Sequence, residues 1–276
     1  MAAIPLQPHS SSKAAISASK EEVPSNALAR GIRILQCFTA EEHDLSAKDI
    51  VQRSMLPKPT AFRLMATLRD LGLLHYSERR NRYTLAPGVL QLSAPLLSGM
   101  TIRSIARPLM QELADAVDGQ ISLAASTHDM DLIYVETVQG RENSVFRPEI
   151  GTTVSLTRAA TGRAFLSLLP EDQYNAILSR LRVEHPERRS WFDDKMHQTR
   201  TDLAELGYCR NQGELHHNTV GVAVPVRAII NDRRFIFGCT IPAYRLSSEP
   251  TLLSDLGMRL STLVHNVEVA LGAPRG

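Results

Sequence analysis

The chain has 276 residues, 43% apolar and 22% charged, the composition of a globular protein with room for two domains. No apolar run approaches the ~20 residues of a membrane-spanning helix, and the N-terminus lacks the basic start and apolar core of a secretory signal. The net charge of +2 is uneven: residues 25–88 hold ten Lys/Arg against six Asp/Glu, residues 89–276 nineteen against twenty-one, so a basic module adjoins a near-neutral one.

Residues 1–24 are rich in Ser, Ala, Pro and Lys without periodicity and are expected to form a disordered tail. From Asn26 to Phe38, Leu28, Ile32, Leu35 and Phe38 recur at helical spacing, with Arg30 and Arg33 off the stripe. A polar break follows at Glu41–Asp44. Ser46 can then cap a short helix ending near Ser54, with Asp49 completing a capping-box pair and Leu45 stapling onto Ile50. A turn, Met55-Leu56-Pro57, leads into a third helix. Pro59 suits its first position and Gly72 its end, where a left-handed residue is wanted. Ala61, Leu64, Met65, Leu68 and Leu71 fall on one face of it, and Phe62, Arg63, Ala66, Arg69 and Asp70 on the other, with Thr60 and Thr67 at the edge. An aromatic and two arginines facing away from a core need a partner, and a duplex groove supplies one. Two short helices joined by a tight turn are helix-turn-helix grammar. Leu73–Ser77, Glu78-Arg79-Arg80-Asn81 and Arg82–Leu85 then read as a hairpin with a basic tip, the wing of a winged helix. Arg79, Arg80 and Arg82 are placed to touch phosphates or a minor groove, as Lys58 is to add electrostatic affinity.

With these residues in place, the sequence resembles the IclR family of bacterial transcription regulators over about residues 26–272. The resemblance rests on Ala27-Leu28-Ala29-Arg30-Gly31, Leu56–Leu64, Leu71-Gly72, Arg82-Tyr83-Thr84-Leu85, Pro225 in an Ala-Val-Pro-Val strand, and Pro242 with Arg245. It implies DNA contacts for Thr60, Phe62 and Arg63. Two departures stand out: Met55 replaces the usual turn glycine and Pro59 the usual serine. The resemblance also implies an α+β chain: a winged helix-turn-helix domain over residues 25–85, a linker helix over 86–104 broken at Pro95 and Gly99, and a GAF-like effector-binding domain over 105–272.

In the second part, Ile102, Ile105, Leu109, Leu113 and Val117 form a helical stripe. Ile121–Ser126 and Leu132–Val138 read as strands about a His128–Asp131 turn, and Val145–Arg147 as a short strand. Helices are expected at Thr157–Leu169, Glu171–Leu181, Asp193–Leu206 and Glu249–Leu271. Val220–Ile230 and Arg234–Ile241 flank an Asn231-Asp232 hairpin signal.

No nucleophile elbow, zincin, Walker or dinucleotide motif occurs. Three widely spaced cysteines, Cys37, Cys209 and Cys239, argue against a disulfide framework and for a reducing cytoplasm. Glu214 with His216-His217 raises the question of a metal. Adjacent histidines on a strand face opposite ways, which favours surface or pocket-rim positions, and no metal or cofactor is expected. The better candidate is the start of the helix after Arg158. Its exposed amides favour an anion such as a ligand carboxylate, and Arg158 can add charge-assisted bonds. Close packing by Ala159, Ala160 and Gly162 is the alternative.

The resemblance adds effector-binding roles for Arg158, Ala160, Thr161 and Gly162, for Asn211 and Glu214 in the next loop, and for Gly221, Gly238 and Thr240 on strands. Asn211 stands where Asp is common, Gly221 where Cys is common and Gly238 where Ser is common. A roomier, less acidic pocket is expected, suited to an aromatic or larger catabolic acid. The sequence therefore points to a homodimeric or homotetrameric regulator that binds palindromic double-stranded operator DNA and a small organic acid, without membrane association. The alternatives are a metabolite-binding or enzymatic protein with an incidental helical module, and a metal- or redox-sensing regulator.

Overall fold

A computed structural model describes residues 27–128, 130–141, 148–184, 189–249 and 251–272. The tail expected over 1–24, the strand expected at 145–147 and position 129 of the expected turn lie outside them. The chain divides into two compact units between Ser93 and Ala94.

The first unit contains α1 (Ala27–Leu35), β1 (Asp44–Leu45), α2 (Ala47–Ser54), α3 (Lys58–Asp70), β2 (Leu74–Ser77) and β3 (Arg82–Leu85). α2 begins with a complete capping box. The Asp49 N–H donates to Ser46 Oγ at 3.2 Å, and the Ser46 N–H donates to the Asp49 carboxylate at 2.9 Å, satisfying two otherwise orphaned donors. The Ser46 hydroxyl and amide hold the Asp49 carboxyl below its usual pKa. The turn into α3 passes through Met55 at φ 55°, a left-handed conformation in which a β-carbon is strained.

α3 starts one residue earlier than the sequence suggests, so Pro59 takes its second position and Lys58 its first. It ends in a Schellman motif. Gly72 is at φ 69°, its N–H donates to Arg69 O at 2.9 Å, and the Leu73 N–H donates to Leu68 O at 2.8 Å. Ala61, Leu64, Met65 and Leu68 are buried as expected, whereas Leu71, assigned to the same face, is 65% exposed because it caps the helix instead of completing a turn. A larger correction concerns α1. Its core side is Gly31 and Ile34, followed by Cys37, while Leu28 and Ile32 of the expected stripe are exposed.

The hairpin forms as expected, but the polar stretch before α2 ends in β1, which pairs with β3 in the register Asp44↔Thr84 and Leu45↔Tyr83. Burial of Leu45 draws that strand in. The wing is therefore three-stranded, in the order β1-β3-β2. α4 (Gly88–Ser98) continues through Pro95, where a break was expected, and none of its residues is buried.

In the second unit, α5 (Thr101–Val117) buries Ile102, Ala106, Met110, Ala114 and Val117. Ile105, Leu109 and Leu113 of the expected stripe flank that line, half-buried. β4 (Gln120–Ser126), β5 (Leu132–Gln139), β6 (Cys209–Asn211), β7 (Thr219–Pro225) and β8 (Phe235–Pro242) form an antiparallel sheet ordered β5-β4-β8-β7-β6. β6 lies where the sequence reads as loop. α5 and α9 (Leu252–Ala270) cover the face carrying Ile121, Leu123, Val222, Phe237 and Cys239. α6 (Ala160–Ser167), shorter than expected, covers the opposite face with Ala124, Cys209, Ala223 and Ile236. α7 (Glu171–Glu184) and α8 (Arg189–Glu205) complete that layer. The buried Glu136 of β5 accepts from Arg103 Nη2 at 2.8 Å and Arg107 Nη1 at 3.0 Å, which pins α5 to the sheet.

Met55 is 78% exposed, so its replacement removes little packing. Met55→Gly relieves the left-handed strain and is expected to stabilise the α2–α3 region by about 0.5–1 kcal/mol. Slower native-state amide exchange in α2 and α3 is the readout.

Candidate functional site

The outward face of α3 carries Phe62, 43% exposed, with exposed Arg63, Ala66, Thr67 and Arg69 and half-buried Thr60. Lys58 Nζ lies 5.8 Å from the Phe62 ring centre, and the Arg69 guanidinium 5.5 Å from that of Tyr76 in β2. Such stacking orders long cationic side chains that would otherwise sample many rotamers. The three wing arginines differ. Arg80 pairs with Asp44 at 3.2 Å and Arg82 with Asp49 at 3.1 Å, whereas Arg79 is exposed at the tip. Two of the charges expected to face phosphates are therefore already matched by carboxylates.

In the second unit, strand register assembles a polar floor beneath α6. Asn211 stands opposite Gly221, Gly221 opposite Thr240, Thr240 opposite Gln120, and Gln120 opposite Gln139. The adjacent row is Cys209, Ala223, Gly238, Ser122 and Thr137. Alternation along each strand puts both rows on the α6 side. A β-carbon on Gly238 would lie 2.8 Å from Thr161 Oγ1 and 2.9 Å from Ser122 Oγ, so α6, β8 and β4 meet there. Ala159 precedes α6 without a side-chain cap, which leaves the first amides of the helix facing outward from its N-terminus.

The residue patterns at both places have counterparts. The profile described as IclR helix-turn-helix domain matches residues 27–78, and the one described as Bacterial transcriptional regulator IclR C-terminal matches residues 94–260. The chain belongs to the IclR family of bacterial transcriptional regulators. Among IclR-family structures, a regulator from Brucella abortus is 36% identical with a TM-score of 0.77, over 88% of this chain and 92% of that one. An IclR homologue from Microbacterium hydrocarbonoxydans, complexed with 4-hydroxybenzoate, is 21% identical with a TM-score of 0.68, over 90% and 100%. The curated relative TsaQ1/TsaQ2 of Comamonas testosteroni, an HTH-type transcriptional regulator, is 24% identical over 91% of this chain and 90% of its own length.

Within this IclR-family chain the expected effector residues separate into groups. Arg158 does not point at an open anion site: its Nε donates to Glu214 O at 2.9 Å and its Nη2 to Leu215 O. Asn211 is buried and used at both ends, its Nδ2 donating to Arg158 O at 2.6 Å and its Oδ1 accepting from the Gly213 N–H at 3.2 Å. An Asp would set a carboxylate against that carbonyl. Glu214 Oε1 pairs with Lys195 Nζ at 2.6 Å. Burial opposes the Glu214 charge, but hydrogen bonds from Lys195 and the Gln212 amide outweigh it and hold its pKa below the usual value.

Gly221 leaves no vacant volume, because its β-carbon would lie 2.3 Å from Cys239 O. The expectation of added room is thus corrected at Gly221; Asn211 differs from Asp in charge and not in size, and at Gly238 the neighbours are hydroxyl side chains. Gly238 and Thr240 belong to the floor, Thr161 meets it from α6, and Ala160 O accepts from Cys209 Sγ at 3.3 Å.

Sequence reasoning missed Gln120, Ser122, Thr137 and the buried Arg163. The alternation Gln120-Ile121-Ser122-Leu123 was the available signal for the first two. His216 and His217 lie in the loop before β7, not on a strand, and no cluster of three metal-ligating side chains occurs among the described residues. Burial pushes the Cys209 and Cys239 thiols up to about 12, and the two face opposite sides of the sheet.

At Gly162 a β-carbon would lie 2.3 Å from Ser155 O and 2.5 Å from Leu156 Cα. Gly162→Ala is therefore expected to destabilise the second unit by about 1–3 kcal/mol. Urea unfolding followed through Trp191, the single tryptophan, measures this.

Proposed function

We propose that this chain, as a homodimer, reads an operator with α3 and the wing and responds to a small organic acid held between the N-terminus of α6 and the polar floor. The observation that carries the DNA half is the solvent-facing Phe62 and Arg63 of α3 in the same unit as a wing whose Arg79 is exposed. Arg63, Thr60 and Phe62 take the groove edge. Lys58, Arg69 and Arg79 take backbone phosphates. Arg80 and Arg82 reach phosphates only by exchanging a carboxylate for one.

The effector half is supported by the uncapped start of α6 over Thr161, Ser122, Gly238 and Thr240. A carboxylate there would be held by backbone amides and hydroxyls. The Microbacterium homologue, complexed with 4-hydroxybenzoate, is consistent with a site of this chemistry. The acid alters DNA affinity to the extent that it binds one dimer arrangement better than another, with coupling of ~1–3 kcal/mol as the usual scale. We assign no catalytic activity, since the floor presents hydroxyls, amides and a thiol and no general base. A regulator working on chromosomal operators acts in the cytoplasm.

Dimerisation is supported by apolar side chains left in solvent. Leu28 is 73% exposed on α1, and Leu90 and Leu92 are 70% and 65% exposed on α4. Surfaces of this kind seek a partner.

Gel-shift titration should show that Arg63→Ala costs ~1–3 kcal/mol and relaxes base preference, while Arg79→Ala weakens all sequences alike and lowers the salt slope by about one. Unchanged operator binding by Arg63→Ala would remove α3 from the groove. In sedimentation velocity, Leu90→Glu should weaken self-association by about tenfold or more, the scale of burying one leucine.

A further inference from the structure

Among the described residues, two buried side-chain polar atoms lack any hydrogen-bond partner: Gln120 Nε2 and Ser261 Oγ. Gln120 is the more completely enclosed, at 3% exposure. A primary amide nitrogen buried without an acceptor destabilises the fold, so such groups in native proteins call for an occupant that supplies one. Its place in the sheet says which occupant. Gln120 opens β4 on the face covered by α6. Ile121 beside it enters the opposite core, and Ser122, two residues on, meets Thr161 of α6 at Gly238. Across the strands Gln120 stands between Thr240 and Gln139. The unpartnered amide is thus part of the floor assigned above to the effector.

We propose that Gln120 determines effector specificity by donating its side-chain N–H to an acceptor at the end of the acid remote from the carboxylate. This rests on the effector reading above. With the carboxylate at the first turn of α6, over Ser122 and Gly238, Gln120 lies two residues along β4, roughly 7 Å away by the rise of a strand. Two- and three-carbon acids are too short to span that separation. An acid carrying a carbonyl or comparable acceptor oxygen roughly 7 Å from its carboxylate spans it. Para-substituted benzoates and open-chain 5-oxo acids have this form. The nearby cations offer the remote end no competing contact: Arg158 is engaged by Glu214 O and Leu215 O, Lys195 by Glu214, and Arg163 by backbone carbonyls and Thr199.

Calorimetry on the full chain with two isosteric pairs tests this: 4-formylbenzoate against 4-vinylbenzoate, and 5-oxohexanoate against 5-methylidenehexanoate. The carbonyl member of at least one pair should bind about tenfold tighter in the unmodified protein, the scale of one hydrogen bond to a buried donor. Gln120→Met, close in shape but without the donor, should abolish that preference and leave the hydrocarbon member bound within about twofold of its original affinity. Gln120→Leu serves the same purpose if the methionine variant does not fold. Without ligand, the variant should melt at the same or a higher temperature, because it deletes an unpartnered donor. A lower melting temperature would mean that a fixed water already satisfies the amide, and would overturn the proposal. If the acids bind but the carbonyl preference is absent, or survives the substitution, the role of Gln120 fails while the effector reading stands. If none of the four binds at about 1 mM, the effector reading falls and the role of Gln120 with it.

Discussion

Arg163 holds the second unit together beside the proposed effector site. Its side chain is 1% exposed, and its guanidinium donates to Thr199 Oγ1 at 3.1 Å, Thr157 O at 3.2 Å, Arg158 O at 3.0 Å and Arg210 O at 2.8 Å. Burial lowers its pKa, as it must for a cation removed from water. Four acceptors from three places compensate that loss of solvation. The arrangement ties α6 to α8, to β6 and to the turn that precedes α6. It also draws the carbonyls of Thr157 and Arg158 toward the guanidinium. The contacts continue outward: Asn211 donates to Arg158 O, Arg158 to the Glu214 and Leu215 carbonyls, and Glu214 accepts from Lys195. One buried charge thereby orders the loop, the turn and the helix start that together frame the polar floor.

The first unit is ordered by smaller devices. A capping box fixes where α2 begins, a Schellman motif fixes where α3 ends, and a short core of Ile34, Ile50, Met65 and Leu68 sets the helices against one another. Asp49 serves twice, capping α2 and pairing with Arg82 of the wing. Asp49, in the first turn of α2, thereby links that helix to β3, whose Tyr83 enters the same core.

Much of this was legible in the residues. Ser46 with Asp49, Pro59 with Gly72, and Arg82-Tyr83-Thr84-Leu85 each state a local geometry that short-range bonding enforces, and the winged helix follows from their order. Long-range choices were less legible. Leu28, Ile32 and Ile34 are all apolar, and only the position of α3 selects Ile34 for the core. Pro95 reads as a helix breaker, yet α4 accommodates it. β6 is three residues long and exists because β7 offers it an edge. At the proposed effector site, the assignment of Thr161, Gly238 and Thr240 rests on the resemblance. The roles of Arg158, Asn211 and Glu214 as partners of one another depend on residues more than fifty positions apart, a relation that no local spacing encodes.

The glycines under α6 differ in what stands against them. At Gly162 and Gly221 the obstruction is backbone, Ser155 O and Cys239 O, and at Gly238 it is two rotatable hydroxyls, Thr161 and Ser122. Backbone cannot yield to a new side chain without moving a helix or a strand, whereas a hydroxyl can turn aside. Change in this part of the fold is therefore accommodated most readily at position 238 and its two hydroxyl neighbours, where a small substitution reshapes the polar floor by a methyl group or so. At position 162, pressed against Ser155 O and Leu156 Cα, a side chain would instead displace the start of α6 itself.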